Sequence, residues 1–212
     1  NFTTATNSYN VAVGYNAGGS ISTGVSNTFV GGLAGDALTD ADFNVAVGVA
    51  ALTSDTLGSK SVAVGMNALT AQNMTTATDA LNTAVGHAAG AAVTTGVQNV
   101  FIGGLSGDST TDADGNVGVG YRTLDANILG SFSTAIGGLA LASQNYTTAT
   151  AAYNVAVGAN AGLATTIGQY NTFIGGEAGK TNIDGNAGVA VGYKALFAQE
   201  PASNVDTDNT AV

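Results

Sequence analysis

Asn10-Val11-Ala12-Val13-Gly14 returns along the chain as Asn27-Thr28-Phe29-Val30-Gly31, Asn44-Val45-Ala46-Val47-Gly48 and Ser61-Val62-Ala63-Val64-Gly65. Further copies start at Asn82, Asn99, Asn116, Ser133, Asn154, Asn171 and Gly188, and Asn209 opens a last, shorter one. Successive starts lie 17, 17, 17 and 21 residues apart, again 17, 17, 17 and 21, and then 17, 17 and 21. Four units make a superrepeat of 72 residues. A fixed period of this size predicts a solenoid, in which each unit is one coil that buries its apolar side against its neighbours.

Numbering each unit from zero at its first residue exposes a pattern. Position three is always Val or Ile, and position one is always Val or Thr, residues that suit a pleated strand. The two share a face of the strand, which the sequence reading places inside the coil. Position two points the other way and is also apolar: Ala12, Phe29, Ala46, Ala63, Ala84, Phe101, Ala135, Ala156, Phe173 and Ala190, with Gly118 in one unit. An apolar stripe along a rod needs a cover. The expectation is therefore that these residues form an interface between copies of the chain. Position four is Gly in every complete unit, a corner or a close approach of backbones. Position eight alternates in pairs, Gly18 and Gly35 followed by Leu52 and Leu69, and so on. Asn at position zero, one coil above another, predicts a hydrogen-bonded ladder along the axis.

The fold expected is all-β: a parallel β-solenoid of about 11–12 coils stacked about 4.8 Å apart, with residues 1–212 as one continuous repeat region. The chain reads as a section of a longer fibre, because it begins and ends inside the pattern. Charge is scarce, with 14 acidic against 4 basic residues and a net charge of -10. That balance excludes nucleic acid as a partner, since phosphate binding needs Lys and Arg clusters. No run of about 18 apolar residues provides a membrane-spanning helix. There are no cysteines, hence no disulfides, thiol catalysis or thiolate metal sites.

Candidate sites fall on the longer units. Their extra residues form bulges, Gln72-Asn73-Met74-Thr75-Thr76-Ala77-Thr78 and Gln144-Asn145-Tyr146-Thr147-Thr148-Ala149-Thr150, with Phe2 in a related stretch at the start. Loops on a rigid scaffold commonly carry binding. Phe2, Met74 and Tyr146, flanked by Asn73, Thr75, Thr76, Asn145, Thr147 and Thr148, are candidate contacts for a host glycan or protein. Asp36, Asp40 and Asp42 are spaced as weak Ca²⁺ candidates, but the cluster recurs only every fourth coil. A turn role, with each carboxylate bonding its own backbone, is the expected alternative. No cofactor is expected. His87 is the only histidine, and no catalytic constellation assembles around it, so no enzymatic activity is assigned.

The Asn-Val-Ala-Val-Gly and Asn-Thr-Phe-Ile-Gly stretches, with Ala at position seven, resemble the head repeats of trimeric autotransporter adhesins and the β-roll repeats of phage tail fibres. The resemblance covers essentially the whole chain, although these coils are longer than those of adhesin heads. It implies a left-handed parallel β-roll, assembled as a homotrimeric fibre with the Ala and Phe stripe toward the partner chains. It also implies an extracellular location, on a cell surface or virion, and a role in attachment to a host cell or surface. Two alternatives stand beside it: an ice- or polymer-binding solenoid, and a polysaccharide-cleaving phage tail spike.

Overall fold

The computed structural model describes residues 7–199 and 205–212. Among them there is no helix, and twelve short strands, from Val11–Val13 through Val45–Val47 and Val117–Val119 to Thr210–Ala211, form one parallel sheet in chain order. The register is that of the repeat, with Val11 beside Thr28, Ala12 beside Phe29 and Val13 beside Val30. Hydrogen bonds to the next coil continue outside the sheet: Leu33 N–H donates to Tyr15 O at 2.8 Å, Gly35 N–H to Ala51 O at 2.9 Å, and Phe43 N–H to Val25 O at 3.1 Å. The molecule is a β-solenoid whose coils pair around their circumference. Pairing of this kind tolerates a strand only three residues long, because each coil is held at several points.

The two faces of the strand are the reverse of the expected assignment. Phe29 is 1% exposed, and Ala46, Ala63, Ala84, Phe101, Ala135, Ala156, Phe173 and Ala190 are fully buried inside the chain's own coils. Only Ala12, in the first described strand, is exposed. The expected interface stripe is therefore the solenoid core and meets no partner. Val and Ile at positions one and three face outward, with Val13 58%, Ile102 39% and Ile174 41% exposed. Alternation shows which residues share a face, but both faces here are apolar. Closure of the coil decides between them: it encloses the Ala and Phe rank together with Leu52 and Leu69, and leaves the Val and Ile rank outside.

That narrowness explains the alternation at position eight. Phe29 fills the interior of two coils, and a Cβ on Gly18 or Gly35 would stand 2.7 Å or 2.5 Å from its ring. Gly107 and Gly179 are likewise closed by Phe101 and Phe173. Where neither a coil nor the next one carries a phenylalanine at position two, as at Ala46 and Ala63, position eight is Leu52 or Leu69, and both leucines are fully buried. Phe with Gly and Ala with Leu are two ways of filling one volume, and interiors reject both voids and excess. The one unit with Gly118 at position two has Ser106 and Thr123 at the neighbouring position sevens. Their hydroxyls share a 2.7 Å hydrogen bond, and Ser106 also donates to Gly118 O at 3.1 Å.

The asparagine ladder is present and carries two bonds per rung. Asn44 N–H donates to Asn27 Oδ1 at 2.8 Å, while Asn44 Nδ2 donates to Gly58 O at 2.9 Å. Every fourth rung is Ser61 or Ser133, too short to reach onward. Gln72 replaces the missing reach: its Nε2 donates to Ser61 Oγ at 3.1 Å and its Oε1 accepts from Asn82 Nδ2 at 2.9 Å. Gln144 does the same between Ser133 and Asn154. Two of the longer coils thus supply a bridging amide where the ladder lacks one, and the side chains on either side of the gap stay bonded. The glycine corner is a close approach: at Gly48, φ is 138° and a Cβ would stand 2.5 Å from Gly65 O.

Phe101→Ala is expected to cost about 3–5 kcal/mol by opening a cavity across two coils. Adding Gly107→Leu should return a substantial part of that loss, because the pair recreates the arrangement at Ala46 and Leu52. Urea unfolding midpoints of the single and double variants measure both; a double variant no better than Phe101→Ala would refute the volume exchange.

Candidate functional site

The bulges turn their large side chains inward. Met74 and Tyr146 are each 3% exposed. The Tyr146 hydroxyl donates to Gly168 O at 2.6 Å and accepts from Asn154 Nδ2 at 3.3 Å, so the ring continues the ladder network into the next coil. Burial pushes its phenol above the ordinary range. These two residues, expected as contacts for a partner, are core. Apolar surface on a loop is stabilised by any interior space that admits it, and the four extra residues open that space. What the bulges present to solvent is Thr75, Thr76 and Ala77, and Thr147, Thr148 and Ala149. Asn73 is exposed and accepts from Thr56 Oγ1 at 3.2 Å, whereas Asn145 is half-buried. Phe2 lies outside the described residues.

Each bulge borders a surface notch. The first, of about 720 Å³, is lined by Asp40, Asp42, Ser59, Ala77, Thr78 and Asp79. The second, of about 230 Å³, is lined by Tyr146, Thr147, Thr148, Thr150, Ile167 and Gln169. The acids of the first are engaged with neighbours in other coils: Asp42 Oδ1 accepts from Val25 N–H at 2.7 Å, Asp40 accepts from Thr23, and Asp79 pairs with Lys60 at 2.5 Å. Asp36 accepts from Thr53. The expected local turn bonding is thus replaced by bonding between coils, since stacking places a donor of one coil over an acceptor of the next. Among the described residues no three His, Cys, Asp or Glu side chains are placed to hold a metal ion.

One carboxylate pair was not foreseen from the sequence. Asp108 and Asp125 are 17 residues apart, at the same position of successive coils, and their carboxyls act on each other. Arg122 holds Asp125 through two bonds, at 2.9 Å and 2.5 Å. Asp108 Oδ1 is buried without a partner. Burial, then the neighbouring Asp125 carboxylate, push the Asp108 carboxyl from 3.8 up to about 6. The period itself was the missed signal: acids at equal positions of successive units must face one another.

The outward face of the strands runs the length of the sheet. It carries Val, Thr or Ile at positions one and three of the sheet, without a charged side chain in either rank. Comparisons of the chain with protein-family models, curated proteins and solved structures return no match.

The raised carboxyl fixes a sign for the pH dependence. A group whose folded pKa lies above its unfolded value contributes stability below the unfolded pKa and loses it as pH rises through the folded one. The contribution of Asp108 is therefore full below about pH 4 and gone above about pH 6. Asp108→Asn is expected to raise the melting temperature at pH 7 and to flatten its change between pH 4 and pH 7. Thermal melts of both proteins across that range provide the test, and parallel profiles would show that Asp108 is not the linked group.

Proposed function

We propose that this chain is a structural and adhesive segment of an extracellular fibre, on a cell surface or virion, in which three copies associate through the outward Val/Thr/Ile face. The bulge threonines are then displayed to a host glycan or protein. The observation that carries this reading is that face. Twelve strands at about 4.8 Å give a length of roughly 53 Å, and a strand with its two borders is about 13 Å wide. The product, roughly 700 Å², is close to the ~800 Å² that each partner contributes to a standard interface. Soluble monomers rarely expose an apolar patch of that size. A second copy fits it, because a flat uncharged rank of β-branched residues is complementary to itself. The number three comes from the resemblance to trimeric adhesin and tail-fibre repeats, and the reading assigns no catalysis.

Val47→Asp with Val64→Asp is expected to leave the solenoid folded and to abolish assembly, since a carboxylate enclosed between apolar faces is costly. Light scattering with circular dichroism measures both, and a monomeric unmodified chain would overturn the assembly. Changing Thr75, Thr76, Thr147 and Thr148 to Ala should weaken attachment of the assembled rod to cells severalfold without altering its melting temperature; undiminished attachment would place recognition elsewhere.

The regular outward face also favours a second reading, ice binding, because Thr28, Thr83, Thr134, Thr172 and Thr210 stand in its first rank. A monomeric rod that shapes growing ice crystals would select it.

A further inference from the structure

Two rows of side chains border the outward face. One stands immediately before position zero and includes Gly115, Phe132, Tyr153, Tyr170 and Ala187, all at φ between 50° and 63°. The other follows the glycine corner and includes Tyr121, Gly138, Ala159, Gly176 and Tyr193. Phe132, Tyr153 and Tyr170 form an offset stack, with centroids 5.4 Å and 5.9 Å apart and interplanar angles of 12° and 16°. The three rings are 46%, 51% and 57% exposed.

Within each of these coils the two rows are sorted in opposite senses. Phe132 shares its coil with Gly138, Tyr153 with Ala159 and Tyr170 with Gly176; in reverse, Gly115 goes with Tyr121 and Ala187 with Tyr193. The width of a strand separates the rows, so the sorting has no steric cause across one chain. Some of the small residues do have a cause along the axis: a Cβ on Gly115 would meet the Phe132 ring at 2.7 Å. Gly138 has none. No heavy atom stands within 4 Å of where its Cβ would be, and its φ lies outside the left-handed range.

We infer that these rows key neighbouring copies of the chain into level axial register, large residues of one row meeting small residues of the other. The inference rests on the proposed assembly. A closed ring of identical chains sets equal heights side by side, and its contacts are heterologous, one edge against the other. In that arrangement Phe132 faces Gly138 of the next copy and Tyr121 faces its Gly115. The Val/Thr/Ile face repeats with every coil, so it is nearly indifferent to a slip of one coil. The border rows are not: a slip sets Tyr170 against Tyr193 in one direction, or Phe132 against Tyr121 in the other. Either slip also leaves Gly115 opposite another glycine, Gly138 or Gly104. Each error therefore makes one clash and one void, both unfavourable in a packed contact. Below Gly115 the rows are not sorted, as Tyr9 and Tyr15 share a coil, so the keying belongs to the upper coils.

The test uses the native absence of cysteine. Lys60→Cys with Met66→Cys, on the two borders of one lower coil, reports level register through disulfides between copies. Lys60→Cys with His87→Cys reports a slip of one coil. On the otherwise unmodified chain the level pair is expected to cross-link at least tenfold more than the slipped pair. Gly138→Tyr, whose Cβ would meet nothing in its own chain, should leave circular dichroism unchanged and reduce level cross-linking at least tenfold. Adding Phe132→Gly, which exchanges the sizes, should restore it. Assembled chains whose cross-linking is indifferent to Gly138→Tyr overturn the keying alone. An unmodified chain that is monomeric overturns the assembly, and the keying with it.

Discussion

A single phenyl ring fills the interior across two coils, and this shortage of room governs the rest of the molecule. Phe29 is closed in by Gly18 and Gly35, in its own coil and the one before it. The next two coils, without a phenylalanine, take Leu52 and Leu69 instead. Position eight stays in the left-handed region whichever residue occupies it, with φ of 58° at Gly35 and 54° at Leu52. The backbone path is therefore constant and only the filling changes. A leucine held there carries a backbone cost of about 1–2 kcal/mol, offset by a fully buried side chain worth about 1.5–3 kcal/mol.

The coil closes on the Ala and Phe rank and leaves the β-branched rank of the strand outside. In a globular domain such a rank would be core. Here it becomes an apolar surface along the outside of the solenoid. The polar core follows a similar rule. A coil interior too thin to exclude backbone groups has to bond them, and the asparagine ladder meets both a neighbouring N–H and a neighbouring carbonyl. Gln72 and Gln144 show how strictly that holds, since they appear where serine breaks the ladder.

The bulges combine both constraints. Their amide and their large side chain, Met74 or Tyr146, belong to the interior, so only the threonines that follow are free to meet anything outside. A surface insertion in this fold is thus half structural. The acidic groups around it bond between coils, which accounts for their positions without a bound cation. Asp108 is the exception, because its partner in the next coil is another acid.

The repeat, the parallel order of the strands, their register and the asparagine ladder were all legible in the sequence, because each is a translation by one unit. The period alone dictates that Val11 meets Thr28 and that Asn27 meets Asn44. Which face of the strand is buried was not decided by alternation, since Ala and Val are both apolar and differ mainly in size. The signal existed in the pairing of Phe29 with Gly18 and Gly35, and of Ala46 with Leu52, which only makes sense if positions two and eight touch. The inward turn of Tyr146 and the burial of Asp108 belonged to the tertiary structure alone, although the period already sets Asp125 over Asp108. Both depend on the cross-section of the closed coil, a length that the spacing of residues along the chain does not contain.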